Sequence, residues 1–448
     1  MEPLRGDESS VEPDETTIAT RGREVDGVAV GTVLAELPRP TVAWSAEGQR
    51  VAAGGSVATI TADGPDRFDH VRRAGEALFA GRAVESDLPR AARPRLFGGF
   101  AFHEGDKDRG QSPWDGFPDA QFALPAVQVV RTDDGATWVV ATATGPSAAA
   151  EAESRLDEWV DRVEALDDAR PEDGPGIERR TFTPDDAGWR RQVDAAVERI
   201  RRGTLRKVVL AGALTVDLRD ELSVPSVYER LSETYPDCFR FLVAPEGGGH
   251  FFGATPERLI SRDGRTVRTE ALAGSTGRGD TPEEDEWLAS ELQDSEKDRH
   301  EHDLVVEAIK SQLSPYATSI STGDRTVRRL ATVQHLQTPV TAELAEDDHV
   351  LSLVEALHPT PAVGGLPPDE ALETIKETEA FDRGWYASPV GWFDAEGDGT
   401  FAVAIRSAVA TDRRATLFAG NGIVGDSDPD REWDEVQLKY RPVLDALE

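Results

Sequence analysis

The sequence predicts an α+β protein built from large, mostly antiparallel sheets with helices around them. Three observations support this class. Short apolar runs bounded by turn residues recur along the chain, as they do in strands. Other segments place their apolar residues at helical spacing. The two kinds of segment do not alternate strictly, as they would in a parallel α/β fold.

Length and composition exclude several classes of protein. The chain has 448 residues, of which 38% are hydrophobic, enough for a substantial core. No run of about 18 apolar residues occurs, so we expect no membrane span. The N-terminal residues are acidic and polar, unlike a secretory signal, which predicts a cytoplasmic protein. The single cysteine, Cys238, excludes an internal disulfide and is expected to be a small core residue.

The sequence divides into three regions: an acidic flexible arm (residues 1–26), an N-terminal α+β part (27–176) and a C-terminal part (177–448). The boundary lies at DDARPEDGPG (167–176), whose Pro, Gly and Asp content is typical of a linker. In the N-terminal part the patterns predict a helix at 148–166 and strands at 31–37, 50–60, 96–103, 122–130 and 137–142.

The C-terminal part mixes the same two kinds of element. Its predicted helices lie at 185–203, 224–234, 282–314, 350–356, 369–378 and 429–439, and Pro442 is expected to end or kink the last one. Its predicted strands lie at 206–216, 239–244, 250–254, 258–262, 266–269, 327–336, 390–393, 401–410 and 415–420.

The charge balance is strongly acidic, with 84 acidic against 49 basic residues and a net charge of −35. Such a field repels nucleic acid, so we expect no nucleic-acid partner. The acidic residues are spread along the whole chain rather than gathered in a tail. This distribution suits a protein that works in concentrated salt, where repulsion between charges is screened over a few ångströms. We therefore predict a halophilic source.

A helix near the C-terminus gathers charged side chains on one face. Glu432, Glu435 and Lys439 are spaced i, i+3 and i+7. Two carboxylates and an ammonium there suit a hard cation and an anionic ligand, although a solvated salt-bridging face has the same pattern. The Gly-rich segment at 420–425 lies just upstream, and its backbone N–H groups can approach a carboxylate closely.

The predicted helix at 282–314 carries a second group of acids. Asp298 and Glu301 are spaced i, i+3, and their oxygen atoms suit Mg²⁺. His300 and His302 are two residues apart and lie on different faces, and no HExxH motif occurs, so zinc is not expected. The residues alone thus indicate a site for Mg²⁺ and a carboxylate-bearing substrate, without naming a reaction.

Ten short blocks, in order, resemble the chorismate-binding family. This family includes isochorismate synthases, salicylate synthases and the large subunits of anthranilate and aminodeoxychorismate synthases. The blocks cover roughly residues 181–446, and each alone would be a weak signal. They are KVVLA (207–211), ATPER (254–258), TEALAGS (269–275), SEKDRHEH (295–302), VQHL (333–336), LHPTPAVGG (357–365), FDRGWY (381–386), AIRS (404–407), GNGIV (420–424) and EWDE with Lys439 (432–439).

The resemblance implies a fold like that of anthranilate synthase component I, with a chorismate-binding catalytic domain at 177–448. It implies Mg²⁺ as cofactor, with Glu301 and Glu435 as ligands. Glu432, and either Glu296 or Asp298, would hold metal-bound waters. The side chains and amides that would hold the carboxylates and ring of chorismate are Ser275, His335, Tyr386, Arg406, Gly422, Ile423 and Lys439.

The resemblance also implies the reaction, attack at C2 of chorismate with loss of the C4 hydroxyl. Lys207 would be the base that activates water, and Glu257 the acid that protonates the departing hydroxyl. At neutral pH these roles need a lowered pKa for the lysine and a raised pKa for the glutamate, and burial produces both. Lysine is scarce in this arginine-rich chain, and arginine cannot serve as a base, which favours a specific role for Lys207.

Lys207 favours water over ammonia as the nucleophile, because ammonia-using members of the family generally lack this lysine. We therefore expect an isochorismate synthase, an isomerase, and the TEALAG block favours the type that serves menaquinone synthesis. Salicylate synthase and anthranilate synthase component I stay as alternatives, as does an inactive chorismate-binding relative. By analogy with the family we expect a monomer whose partner is the small molecule chorismate.

Overall fold

A computed structural model describes residues 18–46, 48–84, 88–105, 112–167 and 171–448. These residues form ten α-helices: α1 (Val30–Glu36), α2 (Arg67–Phe79), α3 (Ala148–Glu164), α4 (Asp186–Arg201), α5 (Val224–Thr234), α6 (Pro282–Asp294), α7 (Glu296–Leu313), α8 (Val350–Leu357), α9 (Pro368–Thr378) and α10 (Pro429–Leu444). Within the described ranges, no helix is long and apolar enough to cross a membrane.

The strands before residue 176 are β1 (Ile18–Val25), β2 (Thr41–Ala46), β3 (Gln49–Gly54), β4 (Ala58–Ala62), β5 (Arg82–Val84), β6 (Arg95–Phe100), β7 (Ala120–Leu124), β8 (Val127–Arg131) and β9 (Thr137–Thr144). The later strands are β10 (Ile177–Thr183), β11 (Lys207–Leu218), β12 (Phe239–Ala244), β13 (His250–Thr255), β14 (Arg258–Asp263), β15 (Thr266–Gly277), β16 (Ala317–Thr322), β17 (Thr326–Arg329), β18 (Val333–Leu344), β19 (Gly365–Leu366), β20 (Pro389–Asp394), β21 (Gly399–Val403), β22 (Ser407–Thr411) and β23 (Arg414–Ile423).

The strands form two large sheets. One has 13 strands in the order β10-β11-β23-β22-β13-β12-β2-β3-β8-β9-β1-β5, with β19 paired to β11. The other has 10 strands in the order β16-β18-β15-β14-β21-β20-β6-β7-β4, with β17 paired to β18. Only the β1–β5 pairing of the described strands is parallel. The predicted α+β class with mostly antiparallel sheets is therefore confirmed.

Both sheets contain strands from either side of the predicted boundary at residue 176. In the larger sheet β2 pairs with β12, and in the smaller sheet β6 pairs with β20. One hydrophobic cluster also spans both parts of the chain. The division into 27–176 and 177–448 thus separates the sequence but not the sheets, and a separate folding unit for each part stays a prediction.

The two strands that join the parts in the smaller sheet lie deep in the protein. Every residue of β6 and of β20 is buried. Strands that are buried along their whole length are covered on both faces. Phe122 contacts Phe393 and Phe401 at ring-centroid distances of 5.4 and 6.0 Å, so aromatic side chains of both parts pack together.

Several N-terminal predictions need correction. Residues 18–25 of the predicted flexible arm form β1, which pairs with β9 along its whole length, while residues 1–17 lie outside the described residues. The predicted strand at 31–37 is helix α1, whose buried residues include Val30, Val33 and Leu34, a helical spacing. Helix α2 was not predicted, although Phe68, Val71, Gly75 and Phe79 form its buried face.

Five predicted elements are each interrupted. The single helix predicted at 282–314 is two helices, because Ser295 has extended backbone angles and its Oγ accepts a hydrogen bond from Asp298 N as the N-cap of α7. The strand predicted at 401–410 is broken between β21 and β22, where Arg406 has a φ of +53°. The strands predicted at 50–60, 122–130 and 327–336 divide in the same way, into β3 and β4, β7 and β8, and β17 and β18. Helix α10 runs through Pro442 to Leu444, so this proline does not end the helix, and the alternative that it kinks the helix stays a prediction.

Candidate active site

A cavity of about 380 Å³ lies between the sheets and helices α7 and α10. It is lined by residues of β11, β15, β18 and β23, by the segment between β21 and β22, and by both helices. The sequence-predicted residues that line it are Lys207, Glu257, Ser275, Asp298, Glu301, His335, Tyr386, Arg406, Gly422, Glu432, Glu435 and Lys439. Ile423 and Glu296 are not among the lining residues, although Ile423 belongs to β23 and Glu296 to α7, which both border the cavity.

Lys207 begins β11, and its side chain is only 2% exposed. Its Nζ donates a hydrogen bond to Glu301 Oε1 at 2.7 Å. Burial would raise the pKa of Glu301, but the Lys207 ammonium outweighs it, so this pKa is lowered and the carboxylate is ionised. The pair joins the predicted base to a predicted metal ligand, a contact that the sequence did not reveal.

Gly422 makes room for this ion pair. In the β11–β23 ladder Gly422 lies opposite Val209. A Cβ at position 422 would lie 2.8 Å from Lys207 Cε and 3.0 Å from Glu301 Oε1. The absence of a side chain, rather than an unusual backbone angle, is therefore what this position requires.

Glu257 lies between β13 and β14 and is 5% exposed. Burial, together with the nearby charge of Glu270, raises the pKa of Glu257 to about 8, against the opposing effect of Lys207 and Arg406. The side chain is thus a protonated carboxylic acid at neutral pH, as the sequence-based hypothesis requires of a general acid.

Helix α10 supplies a hydrogen-bonded group of charges. Lys439 Nζ contacts Glu435 Oε1 at 2.8 Å and Asn421 Oδ1 at 2.7 Å. Asn421 Nδ2 in turn donates to Glu432 Oε2 at 3.1 Å and to the Glu432 carbonyl oxygen at 2.7 Å. Asn421 is 1% exposed and fixes both charged side chains. Asn421 lies within the GNGIV block, but it was not among the predicted site residues.

The carboxylates of α7 and α10 repel one another across the cavity. Burial raises the pKa of Asp298, and the charges of Glu301 and Glu435 raise it further against the hydrogen bond from Ser295. Burial raises the pKa of Glu432 as well, and Glu435 adds to the effect. Partly buried like charges of this kind are stabilised by a cation.

A magnesium ion fits this donor set. The available donors are hard carboxylate oxygens, and Mg²⁺ usually takes only one or two protein carboxylates and keeps several waters. In the described part of the chain, no three His, Cys, Asp or Glu side chains already surround a common metal position. Glu301 and Glu435 are instead paired with Lys207 and Lys439.

Arg406 also lines the cavity, and its backbone is strained. Its φ is +53°, in a region that non-glycine residues seldom occupy, and such strain is often found at functional sites. The residue is 6% exposed. Within the described ranges its guanidinium has no hydrogen bond or ion pair to a protein group, so this buried cation is open to an anionic ligand.

Tyr386 lines the same cavity near Arg406. Its ring stacks on Phe418 with a centroid distance of 5.3 Å, and burial raises the pKa of its hydroxyl to about 12, so it stays a donor. A Cβ at Gly420 would lie 3.2 Å from the Tyr386 hydroxyl. Gly420 therefore leaves this hydroxyl accessible.

Ser275 and His335 lie opposite each other in the β15–β18 ladder, beside a bulge at Gly274 with a φ of +78°. Ser275 Oγ and His335 Nδ1 are 2.8 Å apart. Burial, with the charges of Arg406 and Lys439, lowers the pKa of His335 well below its usual value, so the ring is neutral. Its Nε2 is buried with no protein partner in the described part of the structure, which leaves one polar atom for a ligand or water.

A fully buried ion pair contacts the backbone of two residues that line the cavity. Arg383, which is 0% exposed, donates to both carboxylate oxygens of Glu379, at 2.6 and 2.9 Å. It also donates to the carbonyl oxygens of Val209 and Val363 at 2.8 and 2.9 Å, and Glu379 accepts from Ala211 N at 2.8 Å. The pair ties β11 to the segment before Tyr386. Arg383 lies in the FDRGWY block, which was the only sign in the sequence that this position matters.

A lysine, a protonated carboxylic acid and an unpaired guanidinium facing one carboxylate-lined cavity indicate an enzyme for a small anionic substrate. A family model described as "Chorismate binding enzyme" matches residues 8–448. The chain belongs to this family, which confirms the resemblance carried by the ten sequence blocks, and it is an enzyme.

The names of similar proteins give a particular reaction within this family. The "Salicylate biosynthesis isochorismate synthase" of Pseudomonas aeruginosa is 38% identical over 415 residues, 91% of this chain and 85% of that protein. "Isochorismate synthase MenF" of Bacillus subtilis is 37% identical over 358 residues, 80% of this chain and 75% of that protein. The solved structure of MenF, the menaquinone-specific isochorismate synthase from Escherichia coli, has a TM-score of 0.80 at 26% identity and covers 96% of this chain and 95% of its own.

Proposed function

We propose that this chain is a Mg²⁺-dependent isochorismate synthase, which converts chorismate to isochorismate. The observation that carries the proposal is the common cavity. Lys207 and Glu257 line it together with Arg406 and with the carboxylates of α7 and α10. The isochorismate synthases among its relatives support the same reaction.

The proposed chemistry uses one base and one acid. Lys207 takes a proton from a water molecule, whose oxygen forms a bond to C2 of chorismate. The two ring double bonds each shift by one position, the C4–oxygen bond breaks, and Glu257 gives its proton to the departing hydroxyl, which leaves as water. One water is consumed and one is released, so the product is an isomer. The raised pKa of Glu257, about 8, suits the acid role.

The charged groups of the cavity would hold the substrate. Arg406 would bind a carboxylate as a rigid fork, with Tyr386 and Ser275 as hydroxyl donors and the amides of Gly422 and Ile423 beside them. Glu301 and Glu435 would hold Mg²⁺, with Glu432 and Asp298 on its waters. Bound there, the ion would neutralise the ring carboxylate of the substrate.

The proposed role of Lys207 requires its pair with Glu301 to open. In the free protein Lys207 Nζ donates to this carboxylate at 2.7 Å, and an ammonium held in that way cannot accept a proton. The ion pair thus explains how the amine stays ordered before the substrate arrives.

The decisive experiment is chromatography of the products formed from chorismate with Mg²⁺ and without ammonia. We expect isochorismate. Salicylate with pyruvate would indicate a salicylate synthase, and anthranilate formed only after ammonia is added would indicate an anthranilate synthase. Binding of chorismate by calorimetry without any product would indicate an inactive relative. Omission of Mg²⁺ should abolish turnover, and this arm tests the cofactor separately.

We propose menaquinone synthesis as the pathway, supported by the B. subtilis relative and the E. coli structural neighbour. The P. aeruginosa relative, named for salicylate biosynthesis, makes salicylate supply the second candidate. Deletion of the gene in its host, followed by measurement of menaquinone and of salicylate, would distinguish them. The monomeric state, the cytoplasmic location and the halophilic source stay predictions.

A further inference from the structure

Two charged side chains hold the backbone on either side of Glu257. Glu270 Oε1 accepts a hydrogen bond from Arg258 N at 3.2 Å. Arg328 Nη1 donates to the Pro256 carbonyl oxygen at 2.9 Å. The two side chains also bond each other, Nη1 to Oε1, at 3.2 Å. A closed set of hydrogen bonds therefore brackets residues 256–258.

Side chains are needed here because the strand ladder ends too early. The β14–β15 ladder pairs Ser261 with Arg268 and continues only to Asp263 and Thr266. Closer to Glu257 the two strands no longer exchange backbone hydrogen bonds in that ladder. Thr269 Oγ1 instead donates to the Leu259 carbonyl oxygen at 2.6 Å, and Glu270 accepts from Arg258 N. These two side chains belong to the TEALAGS block, so their polar groups replace the missing ladder bonds.

The backbone of Glu257 itself is also fixed. Its N–H donates to Thr255 Oγ1 at 3.3 Å, and its carbonyl oxygen accepts from Val403 N at 3.0 Å. Among the described residues, none hydrogen-bonds to its carboxyl group. Glu257 lines the active-site cavity, whereas Arg258, Glu270 and Arg328 line a second cavity of about 240 Å³. Adjacent residues of an extended segment face opposite ways, which separates the acid from the groups that hold it.

We propose that Glu270, supported by Arg328, is a positioning residue that holds the backbone around Glu257, and so its carboxyl, in the cavity, with its own negative charge close by. This inference rests on the proposed function and deepens it. Glu270 is 10% exposed in its side chain and accepts a further hydrogen bond from Gln337, so its charge is held in place. The other groups that face Glu257 are Lys207, Arg406 and the Tyr386 hydroxyl.

The test compares the pH dependence of kcat/KM for the wild type and Glu270→Gln. The falling limb at high pH reports loss of the Glu257 proton, and burial together with the Glu270 charge raises that pKa. Without the negative charge, the limb should move to lower pH by about one unit, the size of shift that one neighbouring charge gives. Glu270→Asp keeps the charge and should restore the limb to the wild-type position.

Glu343→Gln is the matched control, since it removes one negative charge from β18 in the same sheet at an exposed position. Its profile should match the wild type. A Glu270→Gln profile that also matches the wild type would overturn the inference. If this variant does not fold by circular dichroism, Arg328→Gln replaces it and should move the limb to higher pH, since it unmasks the Glu270 charge. An unmoved limb would refute the inference. Failure of the proposed function would show separately, as no isochorismate from the wild type.

Discussion

Gly422→Ala should damage catalysis while leaving the fold intact. The new Cβ would lie 2.8 Å from Lys207 Cε, 3.2 Å from Lys207 Nζ and 3.0 Å from Glu301 Oε1. Carbon atoms in contact are normally about 3.5 Å or more apart, so Lys207 Cε has to move by about 0.7 Å. The backbone at 422 is not left-handed, so alanine meets no strain of its own.

A misplacement of about 1 Å at a reacting group costs on the order of 100-fold in rate, so we expect kcat/KM to fall by about that factor. Overpacking usually costs about 1–3 kcal/mol, and this site borders a cavity, so the free energy of unfolding should fall by about 1 kcal/mol. The assay is isochorismate formation followed by chromatography, with urea unfolding for stability.

Gly425→Ala is the matched control for this prediction. Its added Cβ would meet only Ile200 Cγ2, at an ordinary 3.6 Å, and its backbone is likewise not left-handed. This variant should keep wild-type turnover. Folded Gly422→Ala protein with turnover within threefold of the wild type would refute the reasoning, as would an equal loss in both variants.

Three other outcomes follow from the described contacts. Glu257→Gln removes the acid and should lower kcat by about 10²–10⁴-fold, whereas wild-type kcat/KM should fall above pH 8 as the acid loses its proton, both measured by product chromatography. Arg406→Lys replaces a bidentate fork by a point charge and should raise KM for chorismate by about tenfold or more, with a smaller change in kcat. Glu379→Gln leaves the fully buried Arg383 without its partner and should cost about 3–5 kcal/mol in urea unfolding. Glu377→Gln, at an exposed pair, should cost less than about 1 kcal/mol, and equal losses would contradict the argument.

Local patterns were sufficient for much of the fold. Helix α5 and strand β12 were predicted with their observed bounds, and α4 nearly so, because their periodicity and turn residues agree. The predicted strand at 31–37 is wrong because seven residues are too few to separate the two periods, and packing against α5 decides the outcome. The break at Ser295 was missed because no glycine or proline marks it, although a serine followed three residues later by Asp298 is an N-cap pattern that the sequence already contains.

The composition of the site was more predictable than its contacts. The family blocks predicted Lys207, Glu257, Glu301 and Arg406 as site residues. All four line one cavity although they lie far apart in sequence. The Lys207–Glu301 pair could not be foreseen, because it depends on the spacing of β11 and α7 across the cavity. Glu270 lies in the TEALAGS block, but its proposed role depends on where the β14–β15 ladder ends, which is set by the strand register.

The pairing of β6 with β20 has a consequence during synthesis on the ribosome. Residues 95–100 leave the exit tunnel long before residues 389–394, a delay of roughly 15–60 s at about 5–20 residues per second. Throughout that time β6, all of whose residues are buried in the finished protein, has an open edge and uncovered apolar faces. We therefore expect a nascent chain of this architecture to need shielding by chaperones until β20, at residues 389–394, has emerged.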